Sequence, residues 1–201
     1  MILNCWVVHY NAFESNNSLQ IKPLVNNPAV GTNLQDHLTT LLGPFLVNKP
    51  VTFNLARLIL NPTLIWEYFS NSSGPLTTTV ACDSLGFIHS DLGGAEKSPP
   101  DIQYHINSVA PYSDYGAYFH KIFGFEPHWW NWAYSKYYSE DASTILPIIL
   151  HPKSRGKVYL QSSYPLDPPL IDPKYLSHPD DIKTLIQAIK IIIGLIGQVS
   201  H

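Results

Sequence analysis

The sequence predicts an α+β fold, a mostly antiparallel sheet flanked by helices. Three observations carry this expectation. Strand-like segments are grouped with helices on either side and do not alternate regularly with them. The apolar share of 45% lies in the range of globular chains. The 17 prolines and 11 glycines punctuate apolar segments, with no internal repeat or low-complexity tract. A body of 201 residues suffices for one ordinary domain, burying roughly 70% of its unfolded surface.

Taken in order, Leu55, Leu58, Ile59 and Leu60 have helical spacing from Phe53 to Asn61-Pro62. There Asn61 caps, and Pro62 occupies the first turn of a second helix through Phe69. Asn71-Ser-Ser-Gly74-Pro75 ends that helix. Two strands are expected next, over 77–89 and 102–109, the second with its apolar side at Ile102, Tyr104, Ile106 and Ser108. An aromatic insertion covers 112–138, with helical spacing over 115–123 and again around 129–137. Strands over 144–150 and 157–162 are separated by His151-Pro-Lys-Ser-Arg-Gly156, a turn of hairpin length, so they are expected to pair antiparallel. Ser177-His-Pro-Asp180 starts the last helix, with the Ser177 side chain accepting from the backbone of residue 180 and Asp180 and Asp181 placed at the positive end of the dipole.

Composition excludes some function classes. The balance of 12 Lys+Arg against 15 Asp+Glu gives a net charge of -3, and no basic run follows a phosphate backbone, so nucleic acid is not an expected partner. The charged share of 13% is about half of the ~25% of soluble domains, which implies that part of the surface is normally covered. Cys5 and Cys82 allow at most one bridge, and neither belongs to a C-x-x-C pair. Residues 1–10 are apolar but lack a basic n-region and a small-residue cleavage site, so no signal peptide is expected. The run 182–199 contains Lys183 and Lys190 and falls short of the ~20 nearly uncharged residues of a membrane span; it reads as a buried helix, and no transmembrane segment is expected.

Chemical motifs are sparse. No Gly-x-Gly-x-x-Gly is present to cradle a pyrophosphate; Gly93-Gly94 reads as a turn, and Gly194 and Gly197 as sites of close helix packing. Nine histidines never form His-x-x-x-His, and no metal site is expected. His89 and His105 each fall in an expected strand and could meet across a sheet, one as a general base for hydroxyl oxidation, or both as structural histidines. No Gly-x-Ser-x-Gly elbow exists, and Ser162-Ser163 reads as strand-end polarity. Trp129, Trp130, Trp132, Tyr134, Tyr137 and Tyr138 either line a carbohydrate or alcohol pocket or form core. Asn33 reads as the cap of a short helical turn holding Asp36 in its first turn, a structural role.

The segment Pro28-Ala-Val-Gly-Thr-Asn-Leu-Gln-Asp-His37 resembles a motif of the glucose-methanol-choline oxidoreductases. Pro152-Lys-Ser-Arg-Gly-Lys-Val-Tyr-Leu160, Asp167-Pro-Pro-Leu-Ile-Asp-Pro-Lys-Tyr175 and His178-Pro-Asp-Asp-Ile182 resemble that family's downstream blocks in the same order. Gly74-Pro-Leu76 and Pro100-Asp-Ile-Gln103 are similar to the insect-type branch that includes FAD-dependent glucose dehydrogenases. The resemblance covers residues 18–198. It implies a fragment of an FAD-dependent oxidoreductase acting on CH-OH groups of alcohols or sugars, by hydride transfer to flavin, inactive by itself. It implies residues 1–17 as an unmatched segment, 18–75 as the end of the FAD-binding region with connecting helices, and 76–201 as the substrate-domain sheet, aromatic insertion and C-terminal helix. The dinucleotide glycines and the late catalytic histidine of the family have no counterpart, so no catalytic residue is assigned and FAD retention by the chain is not expected. Asn33, Leu34, Gln35, Asp36 and His37 are expected to be structural rather than cofactor-binding, and His89, His105, Trp129 and Trp130 are the substrate-pocket candidates. The alternative is a non-catalytic α+β ligand-binding module.

Overall fold

The structure is a computed structural model that describes residues 27–77, 82–92 and 99–199, together with residues 19, 21 and 25. Cys5, the first ten residues, the start of the strand expected from Thr77, and Gly93-Gly94 lie outside the described residues or in part outside them. The chain divides into two compact units. One comprises Thr39–His89 and Ala95–Ile148; the other comprises Met1–Leu38, Ser90–Gly94 and Ile149–His201.

The first, a sheet unit, is built on four strands: β1 (Leu42–Val47), β2 (Cys82–Ile88), β3 (Ile102–Asn107) and β4 (Asp141–Ile149), in spatial order β1-β4-β3-β2. β1 pairs antiparallel with β4, and β2 with β3. β1 was not expected because Gly43-Pro44 interrupts its pattern. Proline lacks the ladder donor and is confined to edge strands and bulges; β1 is an edge, and its register shifts between Leu42 and Phe45. Gly43 has φ +110, where a Cβ would approach the Ser143 carbonyl oxygen to 3.1 Å.

The two early helices form as expected. α1 (Leu55–Leu60) is capped by the Asn54 side chain, which accepts from the Arg57 N–H; α2 (Pro62–Asn71) is capped by Asn61 with Pro62 in its first turn. Ser72 in the left-handed region, φ 50, ends it. In the aromatic insertion the first helix is shorter than its spacing predicts: α3 is Phe119–Ile122. The buried Asp114 carboxylate explains the difference, since it accepts from the N–H groups of Gly116 (2.9 Å), Tyr118 (2.6 Å) and Phe119 (2.7 Å) and holds residues 111–118 in turns. α4 (Pro127–Tyr134) follows. Ala110, Tyr112 and Ala142 are buried together, with Tyr134, Tyr137 and Tyr138 packed against them.

β3 alternates as expected only at first. Ile102 and Tyr104 are buried, but Ile106 is exposed and Asn107 buried instead. Opposite these two residues the β2–β3 register slips by one between Cys82 and Ser84, with the extra residue on β2. Ser108 lies beyond the strand.

The second unit contains β5 (Lys157–Tyr159), β6 (Leu170–Asp172) and the helix α5 (Pro179–Val199). The expected pairing of the segments around 144–150 and 157–162 does not occur: β4 pairs with β1, and β5 pairs antiparallel with β6. The intervening 151–156 loop is no hairpin turn, because its backbone N–H groups at Lys153 and Ser154 are taken by Asp181 of α5, each at 2.8 Å. Ser162 serves a tighter turn, accepting from the Tyr164 N–H. The start of α5 also differs. Pro179 takes the first helical position, so the cap falls to His178, whose Nδ1 accepts from the Asp180 N–H at 3.2 Å in place of the expected Ser177 contact. Asp181, Thr184, Ala188 and Ile192 form the buried stripe of α5, while Ile182, Ile186 and Ile193 are exposed. Gly194 and Gly197 do not mark close packing: a Cβ at either would meet no described atom within 4 Å. No helix among the described residues is long and apolar enough to cross a membrane.

Candidate functional site

In the sheet unit, one face of the β2–β3 pair stands open. The register sets Leu85 opposite His105 and Phe87 opposite Gln103, and strand alternation puts these four on one face. Leu85 and Phe87 are 55% and 53% exposed, while their neighbours across the pleat, Ile102 and Tyr104, are buried. Gln103 Nε2 lies 3.0 Å from His105 Nε2, so with the amide donating, the ring carries its proton on Nδ1. The open face therefore joins two apolar side chains to an imidazole held by an amide. Tyr104, on the opposite side of the strand, is pushed up to about 12 by burial and stays a neutral phenol at any physiological pH.

His89 shares the parity of Leu85 and Phe87. It is four positions from the residue opposite His105, about 13 Å at ~3.3 Å per residue, so the register does not bring the two histidines together. The His89 Nδ1 is buried with no hydrogen-bond partner among the described residues. The aromatic candidates part company: Trp130 is 1% exposed, core to the insertion and edge-on to Tyr134 at 4.9 Å, while Trp129 is 43% exposed and stacks on Phe125 at 4.8 Å. Leu85, Phe87 and Gln103 were not singled out from sequence, although the 103/105 alternation beside a strand of apolar residues carries that signal.

A cleft of about 240 Å³ lies at the α1 start, lined by Val51, Thr52, Phe53, Asn54, Arg57 and Leu58 among others, below the ~300–1,000 Å³ of small-molecule sites. Its one charge is engaged. Arg57 Nη2 meets Asp141 Oδ2 at 2.6 Å, and Asp141 Oδ1 accepts from the Thr52 N–H (3.0 Å) and Oγ1 (2.7 Å). Burial pushes the Asp141 carboxyl up, but the hydrogen bonds from Arg57 and Thr52 outweigh it and hold it below its ordinary value. This group is structural.

The motif segment 33–37 belongs to the second unit and is not a helical turn. Asn33 has φ 59, and Leu34 forms an antiparallel bridge with Gly156, its N–H donating to the Gly156 carbonyl at 3.0 Å and its own carbonyl accepting at 2.9 Å. Asp36 accepts from the Tyr175 hydroxyl. A Cβ at Gly156 would overlap the backbone of Asp172 and lie 2.6 Å from the Pro173 Cα, so only glycine fits. The 28–37, 152–160 and 167–175 segments thus lock one another, and Asp36, Ser154, Tyr175 and Asp181 line a void of about 10 Å³, the space of one water.

A dinucleotide pyrophosphate needs free N–H groups at a glycine-flanked helix N-terminus. Of the described helices, four have filled starts, and the fifth, α4, opens on Glu126 and Pro127 with no adjacent glycine. α5 opens on two carboxylates, Asp180 and Asp181; Asn54 and Asn61 fill the starts of α1 and α2; and the N–H groups at the start of α3 are held by Asp114. These residues do not fit an FAD pyrophosphate. No group of three or more metal-ligating side chains exists among the described residues.

Residues 152–198 match the sequence family described as GMC oxidoreductase. The chain is 35% identical over 166 residues to an alcohol dehydrogenase [acceptor] of Pseudomonas putida, covering 82% of this chain and 26% of that protein. It is 26% identical over 181 residues to the glucose dehydrogenase [FAD, quinone] of Drosophila melanogaster, covering 88% and 25%. It thus spans about a quarter of the length of these relatives. Among solved structures, a formate oxidase of Aspergillus oryzae superimposes with a TM-score of 0.68 at 18% identity, over 96% of this chain and 34% of that one, a likeness of fold.

Proposed function

Because this chain belongs to the glucose-methanol-choline oxidoreductases, we propose that it forms the substrate-side sheet of an FAD-dependent enzyme that oxidises CH-OH groups of alcohols or sugars. In this reading the sheet unit supplies a wall of the substrate pocket, and the second unit, with its three interlocked motif segments, is the edge of the FAD-binding body. The observation that carries the reading is the open face, where Leu85 and Phe87 remain exposed beside the Gln103–His105 pair. Such a surface has the makeup of a small-molecule pocket, mostly apolar with a few fixed polar groups.

The chain's own residues bind and orient; no proton or hydride step is assigned to them. His105 is a positioning group, held by Gln103 and aimed with the apolar pair. In this reading FAD is held mainly by the part of the enzyme outside this chain, which the filled starts of α1, α2, α3 and α5 support.

Two measurements test this. The purified chain mixed with FAD and passed through gel filtration is expected to elute without flavin absorbance; co-eluting flavin would overturn the cofactor assignment. In the complete enzyme containing this sequence, Phe87→Ala is expected to raise KM several-fold across a panel of alcohols with little change in melting temperature, since the side chain is half exposed. Unaltered kinetics would remove the open face from the pocket.

A further inference from the structure

We infer that Asn71 is an acceptor site for an N-linked glycan. Asn71-Ser72-Ser73 has the Asn-x-Ser spacing with no proline in the middle, the pattern that the glycosylating enzyme reads. The spacing is common, and the structure supplies what makes this instance usable. Asn71 is the last residue of α2 and is exposed, and its side chain makes no hydrogen bond to any described residue. The chain leaves the helix at once, through Ser72 at φ 50 and Gly74 at φ 89, so the acceptor stands at a surface corner. The contrast within the same helix is instructive: Asn61-Pro62-Thr63 has the same spacing, but proline fills the middle position, and the Asn61 Oδ1 is occupied by the Thr63 N–H at 3.3 Å and by its hydroxyl.

Placement on the helix favours a bulky addition. At about 100° per residue, Asn71 lies on the side of Leu64 and Glu67 and away from Trp66 and Phe69. A glycan at Asn71 therefore leaves Trp66 and Phe69, on the opposite side of α2, uncovered.

The reaction joins the Asn71 Nδ2 to C1 of the reducing sugar of a lipid diphosphate-linked oligosaccharide. The C1–O bond to the diphosphate breaks, the lipid diphosphate leaves, and one amide proton passes to a base on the transferase. No redox partner is needed. The inference is independent of the flavoenzyme reading and applies to the chain as it enters a secretory compartment.

The test is expression of the full chain behind a cleavable secretion signal in a eukaryotic host, in an Asn16→Gln background that removes the second spacing, Asn16-Asn17-Ser18. Intact mass of the secreted chain is expected to show one glycan increment, removed by peptide N-glycosidase with conversion of Asn71 to aspartate. Asn71→Gln and Ser73→Ala are each expected to abolish the increment, and Ser73→Thr to preserve it. A secreted chain of unmodified mass, or an increment that persists in Asn71→Gln, would overturn the assignment.

Discussion

Asp181→Asn tests the reading that the 152–156 loop is a structural clamp on α5. The Asp181 carboxylate is 3% exposed and accepts three hydrogen bonds, from the Lys153 N–H (2.8 Å), the Ser154 N–H (2.8 Å) and the Ser154 hydroxyl (2.5 Å). The Ser154 hydroxyl oxygen accepts in turn from the His178 N–H at 3.0 Å, extending the clamp to the helix cap. An amide keeps one acceptor oxygen and turns an NH2 toward the remaining donors. Hydrogen bonds to a charged group contribute about 1.5–3 kcal/mol each, so losing or reversing two of them costs about 3–6 kcal/mol. The pH dependence has a definite sign. Burial pushes the carboxyl up, but the donors from Lys153 and Ser154 more than offset it, leaving it below its ordinary value. Its stabilisation is therefore full above the unfolded value of about 3.9 and is lost as pH falls through the lower folded value. Hydrogen exchange at residues 153–156 and in the first turns of α5, with urea unfolding followed by circular dichroism, reads the effect. Protection is expected to fall at neutral pH, with a flatter acid limb in the variant. Unchanged protection, or an acid limb identical to the parent's, would refute the clamp.

Three further outcomes are expected. Gly156→Ala forces a Cβ into the Asp172–Pro173 backbone and should lower the unfolding midpoint by the equivalent of about 2 kcal/mol or more; a midpoint within error of the parent would show that the segments are not locked there. Asp141→Asn leaves Arg57 without its partner and should cost about 2–3 kcal/mol, less than for a fully buried pair because Arg57 is one-third exposed; salt-insensitive parent-like stability would show the pair to be idle. Trp66 and Phe69 are 73% and 77% exposed on α2, a helix that buries no residue, so the isolated chain should self-associate through this patch. Light scattering after gel filtration should show a shift toward monomer in Trp66→Ser/Phe69→Ser, and a monodisperse parent would count against the patch.

Where local chemistry decides the structure, the sequence was readable. Asn61-Pro62 separates α1 from α2 because the cap and the first-turn proline are both local signals, and the apolar positions of β2 and β3 show their strands. The misreadings share one cause, a partner distant in sequence. The 151–156 segment has the composition of a turn, but its N–H groups answer to Asp181, 27 positions away for Ser154. α3 starts late because the Asp114 carboxylate competes for the N–H groups of Tyr118 and Phe119. β6 lies between Pro169 and Pro173 and shows itself only through pairing with β5.

The candidate site follows the same division. That His105 and Gln103 share a face is legible from alternation, but which β2 residues they meet is a matter of register, which no local pattern announces. The register matters chemically. With it, His105 lies beside Leu85 and its ring nitrogen is held by Gln103, while Tyr104 on the buried side, pushed up to about 12 by burial, is withdrawn from any acid-base role. Gln103→Ala separates the hydrogen bond from the register: it should leave the β2–β3 pairing intact while removing the partner of His105 Nε2, seen as an altered ring-nitrogen signal in 15N NMR with unchanged β2–β3 backbone contacts.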